Sequence, residues 1–209
     1  MKTTISQRKS SQAFTLIEMI GVLAVIAILA SMLIPKIFDA INSARINNAA
    51  VSCNTVKTAL ADHYSKFGNL PSSNGVALVV TDIGAQQFDK TLVQEGFLDK
   101  LFAVKISSVA AGAALTNHVE IVTALAAGTP ATINNAAYAL GGVATVNDAT
   151  GSVVVQAVIP GVSETDAKDL NDRLDGPTLG SPLATDDTLG RVKYDAVTPT
   201  TVYVYLTHR

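Results

Sequence analysis

Residues 14–35 read Phe14-Thr15-Leu16-Ile17-Glu18, then Met19 to Ile34 without a single charge, then Pro35. A short basic leader with Lys2, Arg8 and Lys9 precedes them. From Phe14 to Ile34 a helix rises about 31 Å, close to the ~30 Å hydrocarbon core of a bilayer. The stretch therefore predicts a membrane-length helix with one carboxylate, Glu18, almost at its entrance. Such a charge costs roughly 2.5–3.5 kcal/mol at mid-bilayer on insertion scales, so it calls for a partner. Nothing basic lies within the run. The leader cations, another chain, or a new amine made by cutting just before Phe14 are the options.

Beyond Pro35 the pattern resumes as an amphipathic helix. Pro35 has no N–H for the carbonyl of Ser31, so it is expected to bend the helix rather than stop it. Ile37, Ile41 and Ala44 begin a stripe that Val56, Leu60, His63 and Phe67 continue at i, i+4, i+7 spacing. Gly68 and Pro71 mark its end. Residues 69–74 then read as a turn-rich linker, and 85–100 as a short helix broken at Gly96. Strands are expected at 104–106, 119–122, 152–159, 192–195 and 202–207, where β-branched runs are bounded by Gly, Pro and Asn. Between them, 161–176 returns to helix, with Ser163 as N-cap, Asp166 in support, and Asp175-Gly176 as its close. Residues 110–150 are rich in Ala, Gly, Thr and Asn, with only Glu120 and Asp148 charged. They read as an uncharged surface facing neighbouring subunits or as a loosely packed edge insertion. The fold class is α+β: one long N-terminal helix whose second half packs on a C-terminal antiparallel sheet, in the shape of a ladle. Three parts follow: a leader at 1–13, a membrane and assembly helix at 14–35, and a globular domain at 36–209 that includes the helix's second half.

The basic leader followed by Phe14-Thr15-Leu16-Ile17-Glu18 resembles the N-terminal signal of type IV prepilins and of the related pseudopilins of type II secretion. The resemblance runs from Ser10 to about Phe67. It implies that a membrane prepilin peptidase cuts between Ala13 and Phe14 and methylates the new amine. It implies that Glu18 serves subunit assembly, and that Pro35 is the helix-bending proline of many pilins. Residue 13 is alanine where the family usually has glycine. The implied partners are copies of the same chain in a helical filament, the peptidase, an inner-membrane assembly platform and the membrane itself. The implied location is the inner membrane for the precursor, with the domain outside the cytoplasm, and then an extracellular pilus or a periplasmic pseudopilus.

Composition narrows the remaining classes. The net charge is −2, and losing the leader takes it further negative. That is unlike a nucleic-acid-binding surface, which is strongly basic. An ordinary secretory signal fits poorly, because the apolar run exceeds the usual 7–15 residues and opens on a glutamate. The one cysteine, Cys53, allows no intrachain disulfide. Many type IV pilins close a C-terminal loop with one, so this region needs another fastening. Cys53 itself reads as a small buried hydrophobe. His63, His118 and His208 lie far apart in sequence, and Cys53 and His63 sit about 15 Å apart along one helix, so no nucleophile–base pair forms there. His63 reads as a satisfied histidine on the buried stripe. Nothing points to an enzyme. Asp175, Asp186 and Asp187 stand in a Gly/Pro-rich stretch where major pseudopilins commonly hold calcium. They lack a fixed calcium-loop spacing, and solvated turn aspartates are the default, with no cofactor expected. The reading is a filament subunit. A type II secretion pseudopilin and an anchored binding domain that never polymerises are the alternatives.

Overall fold

The computed structural model of the chain describes residues 15–68, 70, 88–107 and 117–209. The leader with the Ala13–Phe14 junction, the 69–74 linker apart from Leu70, residues 85–87 and residues 110–116 lie outside the described residues. The chain divides into two compact units, Met1–Asn42 and Ser43–Arg209.

One helix, α1 (Leu16–Phe67), runs the length predicted for it. In the first unit its apolar side chains are exposed on every side, with Leu16, Ile26 and Met32 all more than half exposed. A helix apolar all round belongs in an apolar surround. In the second unit it becomes one-faced. Ile46, Ala49, Cys53, Val56, Leu60 and His63 are buried at spacings of three and four. On the solvent side, the hydroxyls of Ser52, Thr55 and Thr58 turn back onto the carbonyls of Asn48, Val51 and Asn54, at 2.8, 2.9 and 3.0 Å. Gly68 closes the helix at φ +70°, with its N–H on the carbonyl of Tyr64. Glycine takes that conformation without a Cβ penalty.

The buried face of α1 packs on an antiparallel sheet of order β1-β2-β4-β3, formed by β1 (His118–Thr123), β2 (Val153–Val162), β3 (Val192–Lys193) and β4 (Thr200–His208). Val155, Ala157 and Ile159 of β2 and Val202, Val204 and Leu206 of β4 meet the helix in one core. The short helix α2 (Phe88–Gln94) adds Phe88 and Leu92 and ends before Gly96, at φ +78°. The helix α3 (Glu164–Leu174) starts at Ser163 as expected, whose hydroxyl accepts from the Asp166 N–H. It buries Ala167 and Leu170. Pro160 cannot donate to a ladder, and it falls at an irregularity where the β2–β4 register shifts between Ile159 and Val162.

Two expectations need correction. Residues 104–106 are not a strand. Val104 and Ile106 are buried, but they reach the core from irregular chain, fixed by bonds such as Asn117 Nδ2 to the Val104 carbonyl at 3.0 Å. Alternating apolar residues need only an interior to face, and a ladder partner is a separate requirement. The alanine-rich stretch is not a loose insertion: its outer residues, such as Ala126, Thr132 and Val143, do form an exposed uncharged surface, but its inner side is packed. Residues 124–149 cover the sheet face opposite α1, with Ala131, Ala137, Tyr138, Ala139 and Ala149 buried. Both faces of β2 are therefore covered, which explains its nearly unbroken apolar run.

Candidate functional site

Glu18 sits in the first turn of α1. Its Oε2 accepts from the Thr15 N–H and from the Thr15 hydroxyl, both at 2.8 Å, while the Glu18 N–H donates to Thr15 Oγ1 at 3.3 Å. This is a capping box: threonine and glutamate three residues apart satisfy each other's helix-start donors. The carboxylate also lies at the positive end of the helix dipole. Two local effects thus hold the charge at the entrance of an apolar helix. Thr15 is not among the partners expected for Glu18 from the sequence, although a Thr-x-x-Glu spacing ahead of an apolar run is the signal for it.

Downstream, Leu16 to Ile34 presents no charged side chain except Glu18, and α1 is long and apolar enough to cross a bilayer. Pro35 lies inside the helix, which continues through it. Chemically this surface can insert into hydrocarbon or pack against other apolar helices, with one acid at a fixed depth. Ala13 and Phe14 fall outside the described residues.

The other candidates have local partners. Cys53 is wholly buried in the helix–sheet core, and burial pushes its thiol up to about 12. His63 is buried against Phe67 and Phe97, with Nε2 at 2.8 Å from Glu95 Oε2. His118 lies 3.7 Å from Glu120, and His208 meets the Tyr205 hydroxyl at 2.5 Å. Asp175 accepts from the N–H groups of Arg191 and Val192, at 2.6 and 2.9 Å. Asp186 accepts from the Ala196 N–H at 2.8 Å. Asp187 is fully buried and accepts from Asn171 Nδ2, Ser181 N and Leu189 N, at 2.7, 3.1 and 3.0 Å. These oxygens tie loops to their own backbone. Among the described residues, no three His, Cys, Asp or Glu side chains gather as a metal site.

Residues 8–34 match the model of a family described as the prokaryotic N-terminal methylation motif. The chain is 31% identical over 94 residues to a fimbrial protein of Neisseria meningitidis serogroup A, covering 44% of this chain and 55% of that one. It is also 31% identical over 88 residues to a type IV major pilin protein of Neisseria gonorrhoeae, covering 41% and 49% of the two chains. The chain thus spans about half the length of the curated relatives it matches. No solved structure matches it. The motif and these relatives make the chain similar to type IV pilins over less than half of its length.

Proposed function

We propose that this chain is the structural subunit of a type IV pilus-like filament. The observation that carries the reading is the methylation motif matched over residues 8–34, whose part on α1, Leu16 to Ile34, bears no charge except Glu18. A prepilin peptidase cuts between Ala13 and Phe14 and methylates the new amine. The precursor stays in the inner membrane, with residues 36–209 outside the cytoplasm, as the positive leader directs. An inner-membrane assembly platform then draws subunits into an extracellular filament. There the apolar helices pack together, and Pro35 bends each one on leaving that bundle. The Phe14 amine of one subunit meets Glu18 of the next. In a low-dielectric bundle a lone carboxylate is costly, and an ammonium across the interface offsets the cost. Only one stagger brings the two together, so the pair also sets axial register. Glu18 Oε2 is occupied by Thr15, which leaves Oε1 for the incoming amine.

The test is a Glu18→Ala strain without wild-type subunits, fractionated and imaged by electron microscopy. The expected result is protein in the membrane, with a mature N-terminus at Phe14 by intact mass, and few or no filaments. Filaments of normal length would remove Glu18 from assembly. Mature chain still carrying Lys2, Arg8 and Lys9 would remove the processing step.

A further inference from the structure

The chain's one cysteine, Cys53, leaves no disulfide to fasten the C-terminal strands to what lies over them. A buried lysine takes that place. Lys193 stands on β3 between Val192 and Tyr194, which face the α1 core, so the alternation along the strand turns it to the opposite face. It is fully buried there beneath the cover of residues 124–149. Its Nζ donates to the carbonyls of Thr132, Asn135 and Ala137, at 2.9, 2.6 and 3.0 Å. All three acceptors belong to one tight loop of the cover. Asn135 holds that loop: its Oδ1 accepts from the Thr132 and Ala137 N–H groups, both at 3.1 Å, and its Nδ2 donates to the Pro130 carbonyl at 2.9 Å. The Tyr138 ring centroid lies 4.0 Å from the same lysine nitrogen. The ring is fixed in turn, because Tyr138 Oη donates to Gln156 Oε1 at 2.6 Å and Gln156 Nε2 donates to Glu120 Oε1 at 2.7 Å.

These four groups suit an ammonium. It carries three donors and no acceptor, and three carbonyls meet the donors one for one. Bonds from a charged donor are roughly twice as strong as neutral ones. An aromatic face attracts a cation within about 6 Å of its centroid. A neutral amine fits the same place badly. It has two donors, so one carbonyl loses its bond, and its lone pair points at a carbonyl oxygen or at the ring face, both of which are negative. Burial by itself works against the charge and pulls the amine down. The carbonyls and the ring oppose that pull. What meets Nζ is a set of dipoles and a ring, with no carboxylate among the described residues bonded to it.

We propose that this loop and Tyr138 form a cation cage specific for a primary ammonium, which Lys193 fills as a charged clasp and which accepts a free alkylammonium once that side chain is cut short. Truncation to alanine removes Cγ, Cδ, Cε and Nζ, which together make a propylammonium ion. The cage therefore has a soluble ligand of matching length and charge. The clasp joins β3 to the cover without a covalent bond, and its hold rests on donor count and charge rather than on apolar filling.

The experiment follows Lys193→Ala in the full-length chain in detergent micelles by amide hydrogen exchange and mass spectrometry, with propylammonium chloride as the probe. Exchange in peptides from 125–149 should rise about tenfold or more over wild type, as the loss of bonds to a charged donor implies. Propylammonium should restore their protection saturably and leave the wild type unchanged. Two controls should restore nothing: 1-propanol, which has the length without the charge, and tetramethylammonium, which has the charge without N–H donors. Equal restoration by 1-propanol would reduce the cage to a cavity that any filler suits, and no restoration by propylammonium would remove the cage; either result overturns the proposal. If Lys193→Ala does not fold, the wild type decides. At about pH 8.5, below the ordinary lysine value, the proton-coupled nitrogen-15 signal that shows cross-peaks to the Tyr138 ring should be the quartet of an ammonium. The triplet of a neutral amine would overturn the proposal.

Discussion

Replacing Asp187 by alanine tests whether the acidic loop after α3 is held by its own backbone or by a metal. The carboxylate is fully buried and receives three donors. One is Nδ2 of Asn171, itself wholly buried, whose Oδ1 already lacks a partner among the described residues. Leaving that donor orphaned costs about 1–3 kcal/mol. The N–H groups of Ser181 and Leu189 are partly buried and can recruit water, so each loses about 0.5–1.5 kcal/mol. Burial pushes the Asp187 carboxyl above its ordinary range, so removing the charge returns part of this loss. The net destabilisation is about 3 kcal/mol. In a domain of this size that lowers Tm by roughly 6–12 °C. Thermal unfolding followed by circular dichroism, with calcium and with chelator, is the assay. Asp187→Ala should melt lower, and neither protein should respond to calcium. A Tm within about 2 °C of wild type would refute the bonding account, and a calcium-dependent wild-type melt would refute the assignment of these oxygens to the backbone.

Three further measurements bear on the packing of the second unit. Cys53 should resist a maleimide at pH 8 in the folded protein and react at once in denaturant, because its thiol is buried and shifted up to about 12; fast labelling of folded protein would contradict this. Gly190→Ala should lower the unfolding free energy from urea titration by about 1–3 kcal/mol, because the residue sits at φ +73° and a Cβ would stand 2.5 Å from Asp175 Oδ2; a change under about 0.5 kcal/mol would show that the turn relaxes freely. A fragment starting at Lys36 should be a soluble monomer with one cooperative unfolding transition, since the core of the second unit begins at Ile46; light scattering that finds only aggregates would mean the domain needs its neighbours.

The long helix and both strands at the sheet's centre were legible because each announces itself over many residues. Leu16–Phe67 carries a charge-free run and then a stripe at helical spacing, and β2 and β4 are runs of ten and nine residues rich in β-branched and aromatic side chains. The Ser163 cap was legible for a local reason: a hydroxyl three residues ahead of a backbone N–H needs no tertiary contact to be useful. Residues 104–106 misled because burial alone produces the same alternation. The cover misled more deeply. Its buried residues are mostly alanines, which carry no periodic signal, and what secures it is Asn147 and Lys193 bonding to carbonyls distant in sequence. A buried lysine looks like a surface one until the fold places it. At the candidate site, Glu18 stood out as a lone acid, whereas its partner Thr15 looked like an ordinary polar residue.

The sheet order places β4 between β2 and β3, so the strand that seals the centre is the one reached last along the chain. Until Thr200 arrives, β2 has β1 on one side and an open edge on the other, and half of the α1 core has no floor. The helix, β1 and β2 can therefore bury their shared apolar face in full only once β4 is in place between β2 and β3. A product stopped at Pro199 should remain open to protease along its whole length.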